Sequence, residues 1–144
     1  MDRLDLRVWT LRPGARLPRR ATPHASGFDL FACVDAPVVL GRAPRLVGTG
    51  MAIEAPPGCD VTIRPRSGLS RMGVAVAFGT IDSDYRGELL VTMWIAGDLD
   101  RYEVRDGDRI AQLVIGQLAL AGITEVPHLT TTDRGDGGHG STGR

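Results

Sequence analysis

Glycine and proline interrupt this chain every few residues, and no window between them holds a clear apolar repeat of 3.6 residues. With 19 glycines and 9 prolines, only short segments remain, and these are rich in β-branched and aliphatic residues. The pattern predicts an all-β domain, a jelly-roll-like β-barrel or sandwich of antiparallel strands. The expected strands are residues 6–9, 37–40, 45–55, 59–65, 73–78, 88–95, 102–104, 109–120 and 123–126.

The composition changes near position 130, where "TTTDRGDGG" begins a glycine-rich tail. The last stretch, "RGDGGHGSTGR" at 134–144, has five glycines and no aliphatic residue, so it has no apolar face to bury. Its terminal arginines and neighbouring hydroxyls are groups that suit phosphate. We therefore expect a β-barrel core at 1–129 and a flexible C-terminal arm at 130–144.

Composition narrows the class of protein. Apolar residues make up 42% and charged residues 24%, the balance of a soluble globular domain. No run approaches the roughly 20 apolar residues of a membrane span, and no signal-peptide core is visible, so we expect a cytoplasmic protein without a membrane partner. A net charge of zero argues against nucleic acid as partner. Cys33 and Cys59 match no metal-binding spacing and are expected to be reduced and buried.

The stretch "GTIDSDYRGE" at 79–88 places Asp82 and Asp84 two residues apart, on one face if the segment is extended. Tyr85 follows in what resembles a turn into the next strand. The simpler interpretation is a turn whose aspartates cap backbone amides. The functional interpretation is a pair of carboxylates that positions a water molecule, with the tyrosine ring as a platform for a sugar or base.

Three other stretches carry polar groups among turns or apolar residues. In "RPRSGLS" at 64–70, a serine next to a glycine lets backbone N–H groups approach an anion, unless this is only an arginine-rich surface turn. In "GDRIAQLV" at 107–114, Gln112 either satisfies neighbouring backbone groups or faces a ligand. In "SGFDLFAC" at 26–33, Asp29 is isolated among apolar residues, as a carboxylate paired with an arginine would be.

In this order and at these separations, the four stretches and the arm resemble the five motifs of the trimeric dUTPase family. The resemblance spans residues 25–143. It implies a homotrimer of jelly-roll barrels with active sites shared between subunits. The implied reaction is Mg2+-dependent hydrolysis of dUTP to dUMP and pyrophosphate, with the metal held by the triphosphate rather than by protein ligands. Such a reaction mainly requires charge neutralisation, alignment and a positioned nucleophile.

The resemblance also assigns roles to individual residues. Asp82 matches the aspartate that activates the attacking water, and Tyr85 matches the ring that packs on deoxyribose and excludes a 2′-hydroxyl. Gln112 matches an amide that contacts phosphate. Asp29 matches an aspartate that supports the metal and water network. Phosphate binding falls to the second motif, namely Arg66, Ser67 and Gly68.

The arm resembles the family's lid, which closes over a neighbouring subunit's site. Arg134 would reach the γ-phosphate, and the segment His139, Gly140, Ser141 and Thr142 would cover the nucleotide. Position 139 is usually phenylalanine in the family, and the planar imidazole is expected to stack on uracil in its place. Ser26 stands where alanine is common.

The chain contains no asparagine, which many bacterial members use to help read uracil. The segment 74–79 also resembles a short form of the hairpin before the catalytic aspartate. Reading of uracil is therefore expected to fall to the backbone of residues 77–81, with contacts from Ala77, Gly79, Thr80 and Ile81.

Three alternatives fit the residues less well than a dUTP hydrolase. A dCTP deaminase shares the fold, but such chains are longer and lack the glycine-rich fifth motif. A dUTPase-like binding or regulatory module would be favoured by loss of Asp82, Tyr85 or the arm, and all are present. A purely structural jelly roll would not explain five motifs in register.

Overall fold

The computed structural model describes residues 4–143 and is 36% strand and 4% helix, so the all-β prediction is confirmed. Residues 1–3 and Arg144, the second of the two terminal arginines of the arm, lie outside the described part. The elements are β1 Arg7–Thr10, β2 Phe28–Phe31, β3 Val38–Leu40, β4 Arg45–Gly48, β5 Met51–Glu54, β6 Cys59–Arg64, α1 Ser67–Met72, β7 Val74–Val76, β8 Gly79–Ile81, β9 Leu90–Ile95, β10 Tyr102–Val104 and β11 Arg109–Gln117.

The strands form four antiparallel sheets around one core, and no single closed barrel is present in the described chain. The larger sheets have the orders β2-β11-β6-β8 and β4-β9-β7, and the smaller ones pair β1 with β5 and β3 with β10. Strand β9 alternates strictly, burying Val91, Met93 and Ile95. All four sheets contribute to one apolar cluster, so each strand's inward face is fixed by the hydrophobic effect.

The predicted strand at 123–126 is wrong. These residues lie in an extended stretch without strand pairing, and Ile123 is fully exposed. The predicted run 45–55 is two strands, β4 and β5, because the chain turns at Gly50 with a φ of 69°. A β-branched run marks only a strand's propensity, whereas pairing depends on a partner that lies elsewhere in the sequence.

The segment 74–79, expected to resemble a short hairpin, is a crossover between two sheets. Strand β7 pairs with β9, whereas β8 pairs with β6. The N–H of Ala77 continues the first ladder by donating to Thr92 O at 2.9 Å. Only Ala77 and Phe78 link the two strands. In the four-stranded sheet, β8 is the edge strand next to β6.

The C-terminal segment leaves the core soon after β11. Leu118 N donates to Gly58 O at 2.9 Å, and from there to residue 143 the recorded hydrogen bonds join tail residues to one another. Five aliphatic side chains are exposed along this stretch, namely Leu118, Leu120, Ile123, Val126 and Leu129. The extended stretch therefore begins near residue 118, ahead of the composition change at 130. Over residues 4–143, no helix is long and apolar enough to cross a membrane.

Candidate functional site

Three of the singled-out stretches meet at one end of the four-stranded sheet. Gln112 on the central strand β11 pairs with Asp29 on β2 and with Arg64 on β6. Residues directly opposite each other on neighbouring strands project from the same face. The buried neighbours Leu113 and Ile63 occupy the opposite, inward face, so this polar row lies on the outer face.

Asp29 pairs with arginine, as the sequence indicated, but with two of them. Its Oδ1 lies 3.3 Å from Arg66 Nε and its Oδ2 lies 3.7 Å from Arg109 Nη1. The Asp29 side chain is only 14% exposed. The ion pairs join Arg66 of the second stretch and Arg109 of β11 to the same carboxylate. Sequence reasoning did not single out Arg109, although it stands at the start of the strand that carries Gln112.

The Gln112 side chain is hydrogen-bonded to the backbone on one side and lies close to the backbone of Gly27 on another. Its Nε2 donates to Pro65 O at 2.9 Å, so the amide fastens the second stretch to β11. A side chain at Gly27 would place a Cβ only 2.5 Å from Gln112 Oε1, which explains the glycine there. Of the two interpretations of Gln112, the contact with neighbouring backbone is therefore present.

The second stretch contains the short helix α1, which the sequence did not predict. Ser67 and Gly68 begin it and are exposed, and nothing lies within 4 Å of where a Cβ on Gly68 would be. The helix buries Leu69 and ends at Met72, and Gly73 caps it with a φ of 86°. A ligand can thus reach the backbone at 67 and 68 directly.

The third stretch consists of strand β8 and the turn that follows. Tyr85 N donates to Asp82 O at 3.0 Å, which closes the turn. Both Asp82 and Asp84 are exposed, and neither carboxylate makes a hydrogen bond within residues 4–143, so they do not cap backbone amides. The predicted turn is confirmed, while its carboxylates are left available to a ligand.

A pocket of about 150 Å³ opens beside this turn and is lined by Thr80, Ile81, Asp82, Tyr85, Glu88 and Leu90. The hydroxyl of Tyr85 donates to Glu88 O at 3.0 Å, and the side chain is 42% exposed. The volume is below the roughly 300 Å³ at which small-molecule sites begin. This pocket by itself therefore offers room for part of a nucleotide only.

The two groups of candidate residues lie at opposite ends of strand β6. Ile81 pairs with Val61, so Asp82 lies beside Asp60, where both line a common depression. Arg64, the residue nearest the Asp29 and Gln112 cluster, is four positions further along β6. At 3.3 Å per residue, this separates the two groups by about 13 Å. The structure thus brings Asp29, Arg66 and Gln112 together but leaves Asp82 and Tyr85 apart from them.

The arm is a series of tight turns. Arg134 Nε donates to Gly137 O at 2.8 Å, and Ser141 N donates to Gly138 O at 3.0 Å. His139 has a φ of 50°, a left-handed conformation that is uncommon outside glycine. His139, Gly140, Ser141 and Thr142 are all exposed. No hydrogen bond joins this part of the described chain to the core, so its polar groups remain available.

No cluster of three or more histidine, cysteine, aspartate or glutamate residues is arranged to hold a metal between residues 4 and 143. Both carboxylate oxygens of Asp29 face guanidinium groups. Cys33 and Cys59 are free and buried, as expected.

Comparison with known proteins gives a consistent result. The dUTPase family model matches residues 14–143. The deoxyuridine 5′-triphosphate nucleotidohydrolase of Syntrophotalea carbinolica is 45% identical over 147 residues, with 99% of each chain covered. A solved Staphylococcus bacteriophage 80alpha dUTPase with dUpNHpp has a TM-score of 0.89 and 26% identity, covering 97% of this chain and 99% of its own. A mutant dUTPase from phage phi11 of S. aureus, with a structural Mg(II) ion, has a TM-score of 0.80 and 25% identity, covering 88% of this chain and 99% of its own. The chain therefore belongs to the dUTPase family of nucleotide hydrolases.

Proposed function

We propose that this chain hydrolyses dUTP to dUMP and pyrophosphate as a homotrimer whose active sites are each assembled from more than one subunit. The observation that carries the proposal is the separation of the two residue groups by about 13 Å along β6. Neither group alone surrounds a nucleoside triphosphate. If the Asp82 end of one subunit faces the Arg66 end of its neighbour, a complete site is formed.

The exposed aliphatic segment after β11 supports assembly. Leu120, Ile123 and Leu129 are each more than four-fifths exposed along an extended stretch. Apolar side chains in such a row, with little cover from their own subunit, mark a protein contact surface. An extended tail that packs on a neighbour would also carry residues 134–143 away from their own core.

In the proposed reaction, Asp82 accepts a proton from a water molecule as the water oxygen attacks the α-phosphorus. The bond from the α-phosphorus to the bridging oxygen breaks, and pyrophosphate leaves. Asp82 suits this role because its carboxylate is exposed in the pocket and has no protein partner in the described chain. Its neighbour in the turn, Tyr85, would pack on the deoxyribose and leave no room for a 2′-hydroxyl.

The edge strand β8 provides the means to read uracil. Its only sheet neighbour among the described residues is β6, so its other edge presents unpaired backbone groups. We assign the base contacts to the backbone from Ala77 to Ile81, including Gly79 and Thr80. An N–H facing uracil O4 and a C=O facing N3–H would reject cytosine, which presents an amine in place of O4.

The triphosphate would lie at the other group of residues, with Arg66, Ser67, Gly68 and Gln112 as its contacts. The ion pairs of Asp29 hold Arg66 and Arg109 in place, which limits the reorganisation needed on binding. Mg2+ bound to the triphosphate, with its water network near Asp29, would neutralise part of the phosphate charge. The arm would then close as a lid, bringing Arg134 and the segment from His139 to Thr142 over the nucleotide.

The proposed reaction removes dUTP, which keeps uracil out of DNA, and supplies dUMP as the precursor of dTTP in the cytoplasm. The test is pyrophosphate release from dUTP with Mg2+, measured beside dCTP, dTTP and UTP. Release from dUTP alone is the expected result. Binding of dUTP without turnover would favour a regulatory module instead, and release from dCTP or UTP would contradict the assigned base or sugar contacts.

Shared sites predict that two inactive variants restore each other. Arg66→Ala and Asp82→Asn damage opposite ends of β6, so each homotrimer should be nearly inactive. After unfolding and refolding of an equal mixture, about a quarter of the sites should combine both intact ends. Pyrophosphate release should return to about that fraction of the unmodified activity.

The matched control is an equal mixture in which one chain carries both substitutions and the other carries none. After random exchange of subunits, about a quarter of its shared sites should have both ends unmodified, the same fraction as in the complementing mixture. Without exchange, about half of its sites would be unmodified, so its activity measures refolding and subunit exchange. If the complementing mixture stayed inactive while this control exchanged subunits, sites shared in the proposed way would be excluded.

A further inference from the structure

Arg12 lies outside all five motifs, yet it contacts the residue to which Tyr85 is hydrogen-bonded. We propose that Arg12 is a positioning residue that acts through Glu88 to hold Tyr85, and thereby sets the discrimination between deoxyribose and ribose. The inference rests on the proposed role of Tyr85 in the active site. It adds a determinant of sugar selectivity that lies 73 positions before Tyr85 in the sequence.

The Arg12 side chain joins three separate segments. Its Nη1 lies 2.7 Å from Glu88 Oε1, and its Nη2 donates to Cys33 O at 2.7 Å, two residues after the end of β2. The same Glu88 Oε1 accepts a hydrogen bond from Gly50 N, also at 2.7 Å. The Glu88 carboxylate is thus fixed by a guanidinium and by the backbone of the β4–β5 turn.

The backbone of Glu88 in turn fixes Tyr85. Its carbonyl accepts the hydroxyl hydrogen bond of Tyr85 at 3.0 Å. Between them, Gly87 lets the ring lie directly against the main chain, because a Cβ there would be 2.4 Å from the Tyr85 hydroxyl oxygen. The ring is therefore anchored at its hydroxyl end by the residue that Arg12 holds.

The surroundings are shaped to admit the Arg12–Glu88 pair. A Cβ on Gly48 would lie 2.7 Å from Arg12 Nη2 and 2.9 Å from Glu88 Oε1, so a larger residue would displace both. The side chains are 37% and 25% exposed, compared with 65% and 35% for the surface pair of Arg101 and Glu103. The hydrogen bond that Arg12 donates to the Glu88 carboxylate raises the pKa of Arg12, which favours its charged form further.

Exclusion of a hydroxyl by a ring depends on where the ring lies. A displacement of about 1 Å is enough to change the fit of a reacting ligand substantially. Loosening Glu88 would let the Tyr85 ring move away from the pocket, which makes room for a 2′-hydroxyl. The effect should therefore fall on the ratio of kcat/KM for dUTP to that for UTP rather than on turnover alone.

The test compares Arg12→Gln with the unmodified chain and with Arg101→Gln, which removes a more exposed ion pair that lies outside the five motifs. We expect Arg12→Gln to lower the dUTP:UTP ratio of kcat/KM by about tenfold, the effect of losing one charge-assisted hydrogen bond. Arg101→Gln should leave the ratio unchanged. Glu88→Gln is the second variant, since it keeps an acceptor for Gly50 N while it removes the charge, and it should lower the ratio similarly.

A double-substitution cycle separates positioning from a general structural role. In a Tyr85→Phe background the hydroxyl hydrogen bond is already absent, so Arg12→Gln should change the ratio little further. Full additivity of the two substitutions would overturn the inference. So would an unchanged ratio in folded Arg12→Gln and Glu88→Gln proteins, with folding checked by thermal unfolding.

Tyr85→Ala distinguishes failure of this inference from failure of the proposed site. If Tyr85→Ala abolishes sugar discrimination while Arg12→Gln does not alter it, the site assignment stands and only the role of Arg12 is rejected. If Tyr85→Ala leaves the ratio unchanged, the proposed role of Tyr85 fails and the inference about Arg12 fails with it.

Discussion

Replacing Asp82 with asparagine is expected to lower kcat for dUTP by about a thousandfold, within the range that a positioned general base contributes. The amide occupies nearly the same volume but cannot accept the proton of the attacking water. Because the Asp82 side chain is exposed and makes no hydrogen bond in the described part of the chain, its replacement should not disturb the fold. Pyrophosphate release measures the loss, and calorimetric titration with dUTP should show that binding is largely retained.

Asp84 supplies the matched control. It lies two positions further on in the same turn, and its carboxylate is likewise exposed and unpaired in the described structure. Asp84 lines the depression next to Asp60 but not the pocket that Tyr85 shares with Asp82. Asp84→Asn should therefore keep kcat within about threefold of the unmodified value. If Asp84→Asn were inactive and Asp82→Asn active, the catalytic carboxylate would have been misassigned.

The sequence predicted the all-β fold class because the frequent glycines and prolines, and the short β-rich segments between them, are local properties of the chain. It did not predict strands β2 and β8, where Asp29 and the pair Gly79–Thr80 interrupt the apolar pattern. Strand β2 forms because it pairs with β11, and β8 forms because it pairs with β6. Local propensity contains no information about these partners. The opposite error at 123–126 has the same cause, since that apolar run has no partner strand in the described chain.

For the candidate site, the sequence identified the polar residues but not their arrangement. The sequence predicted the contact of Asp29 with an arginine, whereas the identity of Arg66 and Arg109 depends on how the fold brings these segments together. The division of the motifs between two ends of β6 depends on the antiparallel register of β8, which short-range patterns do not contain. The individual roles in catalysis and binding remain predictions that the proposed experiments test.

Deleting residues 134–144 is expected to lower kcat/KM for dUTP by about a hundredfold while the core remains folded. The deleted segment makes no hydrogen bond to the core over its described residues, so thermal unfolding should change little. Its glycines, such as Gly135 and Gly140 with φ of 55° and 89°, allow tight wrapping around a ligand. Without the lid, bulk water reaches the triphosphate and the contact proposed for Arg134 is lost.

A longer deletion, of residues 119–144, separates the two functions assigned to the tail. It also removes Leu120, Ile123 and Leu129, the exposed aliphatic side chains that we assign to subunit contact. Light scattering should therefore show an intact trimer for the shorter deletion and a weakened or dissociated one for the longer. Full activity after the shorter deletion would exclude the lid, because the segment proposed to cover the nucleotide would then be dispensable. An active monomer after the longer deletion would exclude shared sites as well, since one subunit would then hold both ends of β6 in a working site by itself.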